Sequence, residues 1–504
     1  MSVARLMPDW LLRRATVVGD TPAVRSGDDL ALTFADLHQQ ATDMAQRLHG
    51  LGIVQGTRVA VLMHNSPTFV VLIHALIKLG AVLVPLNTRL TAAEIAWQIG
   101  DVHAQLLLHD LRNAHLAAEA SSALPAVLRV CTTHGADVVA LADLKPHAFP
   151  QRDQLDLAAT HSIIYTSGTT GTPKGVLLSY GNHWWNALGS ALNLGTHTDD
   201  CWLAVLPLFH VGGLAIVLRS VIYGVPLLVH ERFDAQAVNE VIDRDGVTLV
   251  SLVANMLTRM LDARADKPFP STLRAVLLGG GPAPLPLLER CAQLGVPVVQ
   301  TYGMTETASQ AATLPPVDAL RKLGSVGKPL MHLDLRIEHE GVEAPPGVAG
   351  QIVVRGPSVT SGYAERPDAT SKSIRDGWLQ TGDIGYVDAD GYLYVLDRRD
   401  DLIISGGENV YPAEVEAALL AHPAVVEAGV VGLPNPRWGQ RVVAAVVVQP
   451  DARVTADELI SFCGTRLARY KLPTTIHFLP TLPRNAAGKL LRRTLRDTYA
   501  GGNT

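Results

Sequence analysis

The chain has 504 residues, 48% of them hydrophobic and 18% charged, with a formal net charge of −5 at neutral pH. That composition excludes a disordered chain, a collagen-like repeat and a small disulfide scaffold, and it supplies a large core. The slight acidity leaves no basic footprint for nucleic acid.

Four cysteines, Cys131, Cys201, Cys291 and Cys463, are scattered without zinc or C-x-x-C spacing, which predicts buried, idle thiols in a reducing compartment. The opening MSVARLMPDWLLRRATVVGD is interrupted by Asp9 and two arginines, so it reads neither as a signal peptide nor as an anchor. Apolar runs such as Val442–Val448 fall well short of the roughly 18 residues a membrane span needs. The expectation is a cytoplasmic, enzyme-sized protein without a membrane span. A homo-oligomer is compatible with the sequence and not required by it.

In chain order, Arg58–Met63 and Ala81–Pro85 look like strands, while Phe69–Leu79 and Ala92–Ile99 have helical spacing. The alternation continues through Cys201–Leu206, Pro226–Val229, Leu249–Val253, Ala275–Leu278 and Pro297–Gln300, and predicts α/β layers on a mostly parallel sheet. After about residue 330 the pattern changes. Leu333–Glu338, Gly350–Arg355 and Tyr392–Asp397 look like antiparallel strands, with Asp390-Gly391 as a hairpin turn. A charged string, Asp397-Arg398-Arg399-Asp400-Asp401, marks a second boundary. Beyond it a helix over Pro412–Leu420 and strands over Val425–Val431 and Val442–Val448 are expected.

The most informative string is Ile164-Tyr165-Thr166-Ser167-Gly168-Thr169-Thr170-Gly171-Thr172-Pro173-Lys174-Gly175, between strand-like His161–Tyr165 and Val176–Ser179. Its glycines let backbone N–H groups converge on an anion, and its hydroxyls and lysine add donors without bulk. That is a polyphosphate cradle. It is not a Walker A loop, because Pro173 stands where the second glycine belongs.

This string resembles the phosphate loop of the adenylate-forming superfamily, and further motifs of that family follow in order. They are Thr301-Tyr302-Gly303-Met304-Thr305-Glu306, Thr381-Gly382-Asp383, Asp397-Arg398-Arg399-Asp400 and Pro483-Arg484-Asn485-Ala486-Ala487-Gly488-Lys489. The resemblance implies a large N-terminal AMP-binding domain (residues 1–397) of stacked α/β layers with a small β-barrel-like subdomain at about 330–397. A small, mobile α+β C-terminal domain (398–504) would turn about a hinge at Asp400. It also implies ATP, Mg²⁺ and coenzyme A, with a carboxylic acid activated as its adenylate and then passed to the CoA thiol.

By this resemblance Thr166, Ser167, Gly168, Thr169, Thr170, Gly171, Gly280, Tyr302, Gly303, Thr305, Asp383 and Arg398 bind the nucleotide. An ionised Asp383 suits two ribose hydroxyls. Glu306 and Thr166 offer the hard oxygens that Mg²⁺ prefers. Lys489 and Lys174, with His210 beside the reacting carboxylate, are the catalytic candidates. A mobile ammonium at Lys489 would stabilise charge as the carboxylate attacks the α-phosphate. Gly406, Gly407 and Glu408 would face the tunnel that admits CoA.

The segments 182–195, 206–224, 277–291, 302–310 and 322–330 are similar to the 2-succinylbenzoate–CoA ligases within that superfamily, which implies a place in menaquinone biosynthesis. Gly212 departs from the serine expected there. The pocket would include His210, Gly213 and Gly281, with Ser309, Gln310 and Arg219 as candidates for the carboxylate that does not react. The alternative for Arg219 is a helix-surface arginine whose charge reaches solvent. Two other readings stay open: a CoA ligase for another aryl or short-chain acid, and an adenylation enzyme that delivers to a carrier protein. Fifteen residues follow Lys489, too few for a carrier, so that partner would act in trans.

Overall fold

The computed structural model describes residues 6–27, 30–135, 137–166, 173–265, 267–280, 283, 285–322, 324–339, 341–397, 403–410, 412–450, 452–483, 490 and 492–500. Among the described residues, four large sheets organise the chain. The first runs, in spatial order, Lys174–Ser179, Thr160–Thr166, Val82–Pro85, Arg58–Leu62, Leu106–His109 and Leu128–Cys131. Its strands are parallel except for the antiparallel pair Thr160–Thr166 and Lys174–Ser179. Lys174 lies opposite Thr166, so the two ends of the phosphate-loop string are held side by side.

The second sheet runs Lys328–Pro329, Ser309–Leu314, Val298–Met304, Ala275–Leu278, Leu249–Leu252, Trp202–Ala204, Leu227–Val229, Pro22–Ser26 and Leu30–Thr33. Its middle is parallel and its two ends are antiparallel hairpins. Helices cover the faces of both sheets, as crossover connections between parallel strands require. Pro67–Leu79 illustrates the coding. Ser66 caps its N-terminus, Pro67 occupies the first turn, and Gly80 ends it in the left-handed conformation. Every residue from Phe69 to Leu79 is buried, as expected of a helix between two layers. The opening segment folds as the helix Trp10–Val18, capped by Asp9.

The third sheet is antiparallel, with Asp334–His339, Gly350–Arg355, Trp378–Val387 and Leu393–Asp397 as its main strands. It has its own apolar cluster, which Tyr302 joins from the second sheet. After Asp397 the description resumes at Ile403. A fourth sheet, Glu408–Val410, Ile403–Ser405, Gly439–Val448 and Val425–Asn435, with Thr475–Phe478 on Gly439–Val448, packs against Pro412–Leu420 and Ala456–Gly464 around a separate core. All four cysteines are buried and free. Among the described residues no helix is long and apolar enough to cross a membrane.

Candidate active site

The phosphate-loop strands, the Val298–Met304 hairpin and the third sheet meet at one place. At the end of Val298–Met304 the ladder with Ser309–Leu314 shifts register between Tyr302 and Gly303. The backbones close so tightly there that a Cβ on Gly303 would sit 1.8 Å from the Ser309 carbonyl oxygen. Only glycine fits that bulge. The turn Thr305–Thr307 follows and packs on Lys174–Ser179. Glu306 is therefore buried, with its carbonyl accepting from Thr360 N–H at 2.8 Å and its Oε1 accepting from Tyr363 Oη at 3.0 Å.

Tyr363 reaches Glu306 because residues 360–364 are laid along the phosphate-loop strand. Leu177 N–H donates to the Gly362 carbonyl, and Ala364 N–H donates to that of Gly175. The Lys174 ammonium stands 5.1 Å from the centre of the Tyr363 ring. Thr166, Lys174, Glu306 and Tyr363 thus form one connected group. Tyr302 and Asp383, both buried, form the next, with Tyr302 Oη donating to Asp383 Oδ2 at 2.6 Å. Thr381 Oγ1 accepts from Asp383 N–H and donates to the Ile352 carbonyl, which fixes the Asp383 backbone in its turn. Among the described residues no cluster of three or more His, Cys, Asp or Glu side chains could hold a metal. A site built on Glu306 and Thr166 supplies one carboxylate and one hydroxyl. Such a sparse set of hard oxygens suits Mg²⁺, which takes its other ligands from phosphates and water.

Of the residues expected to line the acid pocket, His210 precedes the helix Val211–Tyr223, with Gly213 buried in its first turn. A Cβ on Gly212 would meet nothing closer than 3.5 Å, so the departure from serine there is sterically free. Arg219 does not reach solvent. It is 2% exposed, donates to Asn186 Oδ1 at 2.7 Å, and lies 5.6 Å from the Trp202 ring. Burial lowers its pKa from the ordinary guanidinium value. Asn186 Nδ2 in turn donates to the carbonyls of Thr307 and Gln310, so the arginine is tied through one amide to the backbone of the Glu306 turn. The Gln310 side chain is buried with neither amide atom hydrogen-bonded. Ser309 is half-buried at φ 119°, next to Ala308 in the left-handed region.

The fourth sheet closes this side. Gly406 and Gly407 turn the hairpin between Ile403–Ser405 and Glu408–Val410 at φ 61° and 84°, with a Cβ on Gly407 reaching Val253 at 3.5 Å. Glu408, 6% exposed, pairs with Arg89 and lies 3.6 Å from His210 Nε2. Burial alone would raise the Glu408 carboxyl, but His210, Arg89 and Lys471 outweigh it and hold the pKa below the usual carboxylate value. Gly280, at φ 79°, lies after the strand Ala275–Leu278, and Thr305 opens the Glu306 turn. Ser167, Gly168, Thr169, Thr170, Gly171, Gly281, Arg398, Asp400 and Lys489 lie outside the described residues.

Residues 11–364 match the AMP-binding enzyme family, and residues 414–489 match the AMP-binding enzyme C-terminal domain. The chain belongs to the AMP-binding enzyme family. It is 52% identical over 490 residues to a 2-succinylbenzoate–CoA ligase of Geobacillus kaustophilus, covering 97% of both chains. It is also similar to two structures of Bacillus subtilis o-succinylbenzoate CoA synthetase (MenE), each at 43% identity and covering 98% of both chains. The double mutant with its product analogue OSB-NCoA superposes at a TM-score of 0.92, and the complex with the acyl-adenylate OSB-AMP at 0.76. Identity and coverage are equal in the two comparisons, so the difference lies in how the parts are arranged.

Three residues of this AMP-binding enzyme escaped the sequence reading. Tyr363 and Asn186 carry no local motif, and Arg89 is an ordinary surface arginine until Glu408 arrives from 319 residues away.

Proposed function

We propose that this AMP-binding enzyme is an ATP-dependent acid–CoA ligase that converts 2-succinylbenzoate to its CoA thioester, an activation that serves menaquinone biosynthesis. The observation that carries the reading is the docking of the Gly406-Gly407-Glu408 hairpin against His210 and Arg89. It brings a narrow, glycine-lined edge to the acyl site, where a pantetheine arm has to pass. Identity of 52% to a ligase of that name supports the choice of acid.

In the first step a carboxylate oxygen of the acid attacks the α-phosphorus of ATP, and pyrophosphate leaves. Anions converge, so the barrier falls only where cations and oriented dipoles await the developing charge. Lys174 and the Ser167–Thr172 backbone would hold the phosphates, and Lys489 would supply a second ammonium near the attacking oxygen. Mg²⁺, held by Glu306 and Thr166, would neutralise charge on the phosphates. Tyr302 and Asp383, with Gly280, Gly303 and Arg398, would hold the nucleoside, and Thr305 would reach the α-phosphate. In the second step the CoA sulfur attacks the acyl carbon and AMP leaves, with the C-terminal unit turned about Asp400 so that Lys489 is replaced by the hairpin.

The acid carries a second carboxylate that does not react. The unsatisfied Gln310 amide and Ser309 offer donors for it, directly or through water. Arg219 would act from behind, as a buried positive charge relayed through Asn186 to the 307–310 backbone. A CoA-dependent assay of AMP and pyrophosphate release tests the reading across 2-succinylbenzoate, benzoate, a cinnamate, acetate and a medium-chain fatty acid. A clear preference for 2-succinylbenzoate is expected; preference for any other acid overturns the substrate, and pyrophosphate release indifferent to CoA overturns the acceptor.

A further inference from the structure

The junction between the C-terminal sheet and the first N-terminal sheet holds a buried charge triad. Lys471 Nζ donates to Glu94 Oε1 at 2.8 Å and to Glu414 Oε1 at 2.7 Å. The Lys471 side chain is 5% exposed, that of Glu414 7% and that of Glu94 13%. Lys471 and Glu414 both belong to the C-terminal unit, whereas Glu94 belongs to the N-terminal helix Ala92–Asp101. Around the triad the contact is apolar. Ala468 is buried in the N-terminal cluster that contains Leu86, Leu90 and Ile95, and Tyr470 packs against it. Longer contacts complete it, with Asn87 Nδ2 to Tyr470 Oη and Thr91 Oγ1 to the Arg466 carbonyl, both at 3.4 Å.

An apolar contact is non-directional and tolerates sliding. An ammonium inserted between two carboxylates does not, because a small displacement leaves a buried charge poorly paired. The triad therefore sets the register of the junction. It is also built to separate. Glu94 Oε2 independently accepts from Thr91 N–H and Thr91 Oγ1 in a capping box, so Glu94 stays bonded when Lys471 departs. Lys471 carries Glu414 away with it. Within the triad, the contact from Lys471 to Glu94 is thus the part that crosses the junction and depends on orientation.

We propose that Glu94 is a positioning residue for the thioester-forming half-reaction: through Lys471 it fixes the C-terminal unit in the orientation that sets Gly406-Gly407-Glu408 against His210, and it releases that unit for adenylation. The inference rests on the two-step reading above. The triad carries two carboxylates for one ammonium. Burial raises the Glu414 carboxyl above its ordinary pKa, and the like charge of Glu94 adds to that. Burial alone would lower Lys471, yet Glu414, Tyr470 and Glu94 together hold it above its ordinary value. Neutralising Glu94 consequently relieves repulsion at Glu414 while it weakens the grip on Lys471.

The test is Glu94→Gln in the full chain. Glutamine keeps an oxygen for the Thr91 cap but then offers Lys471 an amide NH₂, so cap and latch can no longer be satisfied together. Single-turnover thioester formation from supplied 2-succinylbenzoyl-AMP and CoA should fall about tenfold, the scale for one arm of a buried charged contact. CoA-independent adenylation should hold or rise, and the thermal midpoint should stay near wild type. Amide hydrogen exchange without substrate should quicken in 87–94 and 466–472. Equal loss in both half-reactions, or unchanged rates with unchanged exchange, overturns the proposal. If wild type fails to adenylate 2-succinylbenzoate, the substrate reading fails alone, and the exchange comparison still decides the latch.

Discussion

Tyr302 and Asp383 stand 81 residues apart in sequence and share a 2.6 Å hydrogen bond in a buried setting. The phenol donates, so it fixes which way the carboxylate faces, and on the proposed reading that carboxylate would meet the ribose. An interaction of this kind is present before and throughout adenylation, which makes it uniform binding. Tyr302→Phe keeps the ring and deletes the donor. The expected outcome is a KM for ATP raised about ten- to a hundredfold, the range for losing a hydrogen bond to a charged group, with a smaller change in kcat. Steady-state kinetics with ATP varied, and calorimetric titration with AMP, measure both; a fall in kcat at constant KM contradicts this role.

Tyr363 and Glu306 make the matching pair on the side proposed for Mg²⁺. Phenylalanine at 363 retains the ring under the Lys174 ammonium and removes only the hydroxyl on Glu306 Oε1. A carboxylate released from one donor samples more rotamers before it can ligate. Tyr363→Phe should raise the Mg²⁺ concentration for half-maximal turnover about three- to tenfold at fixed ATP, a fraction of the full worth of one charged hydrogen bond because the effect on the metal is indirect. Electron paramagnetic resonance titration of Mn²⁺ with a non-hydrolysable ATP analogue reads the same shift without turnover. An unaltered metal profile removes Tyr363 from this role.

The pattern of what was legible follows from how far each interaction reaches. The Gly406-Gly407 turn stands out in the sequence because a local backbone demand selects glycine at both positions, whereas the bulge at Gly303 shows only in the fold. The strands Arg58–Leu62, Val82–Pro85, Trp202–Ala204, Leu227–Val229, Leu249–Leu252 and Ala275–Leu278 were readable because parallel strands buried on both faces are short apolar runs. Pro22–Ser26 and Leu30–Thr33 were not, since they become strands only by joining the edge of a sheet assembled around Trp202–Ala204. Arg219 is the sharpest case. A lone arginine in an apolar helix reads locally as a side chain that reaches water, but Asn186, 33 residues earlier and on another helix, and the Trp202 ring make its burial tolerable. Likewise, the pairs Tyr363–Glu306 and Lys471–Glu94 are tertiary facts without a local signature.

Behind the first sheet, His74, His161 and His183 are buried beside one another, with both ring nitrogens of His161 unsatisfied. Burial pushes His74 and His161 down to about 3, and His183 well below its ordinary value. A histidine depressed in the folded state takes up its proton on unfolding at any pH below about 6.5. Stability should therefore be full above that pH and fall as the pH drops toward 3. Each such histidine contributes a slope of up to about 1.4 kcal/mol per pH unit in that window. Urea midpoints at pH 7, 6 and 5 should decline accordingly. His161→Phe, which keeps the edge-on ring contacts with Tyr180 and His183, should flatten the decline. An identical slope in the variant would assign the acid sensitivity elsewhere.

The two half-reactions make different demands on the C-terminal unit, and two substitutions separate them. On the proposed reading Lys489 acts only where charge builds on the carboxylate and the α-phosphate, so Lys489→Ala should lower adenylation by orders of magnitude, on the scale of a lost transition-state cation. It should still convert supplied acyl-AMP to thioester, because the Gly406-Gly407-Glu408 hairpin and its partners Arg89 and His210 are untouched. Asp400→Pro acts on motion instead. Proline fixes φ near −65° and removes a donor, so a backbone that must rotate at that residue is confined to one side of the rotation. One half-reaction should survive near wild-type rate while the other collapses, and overall turnover should follow the slower. Rapid-quench measurement of acyl-AMP formation and, separately, of its consumption by CoA distinguishes the two variants. If Lys489→Ala loses both steps equally, the lysine is structural; if Asp400→Pro slows neither, the pivot lies at another residue of the charged string.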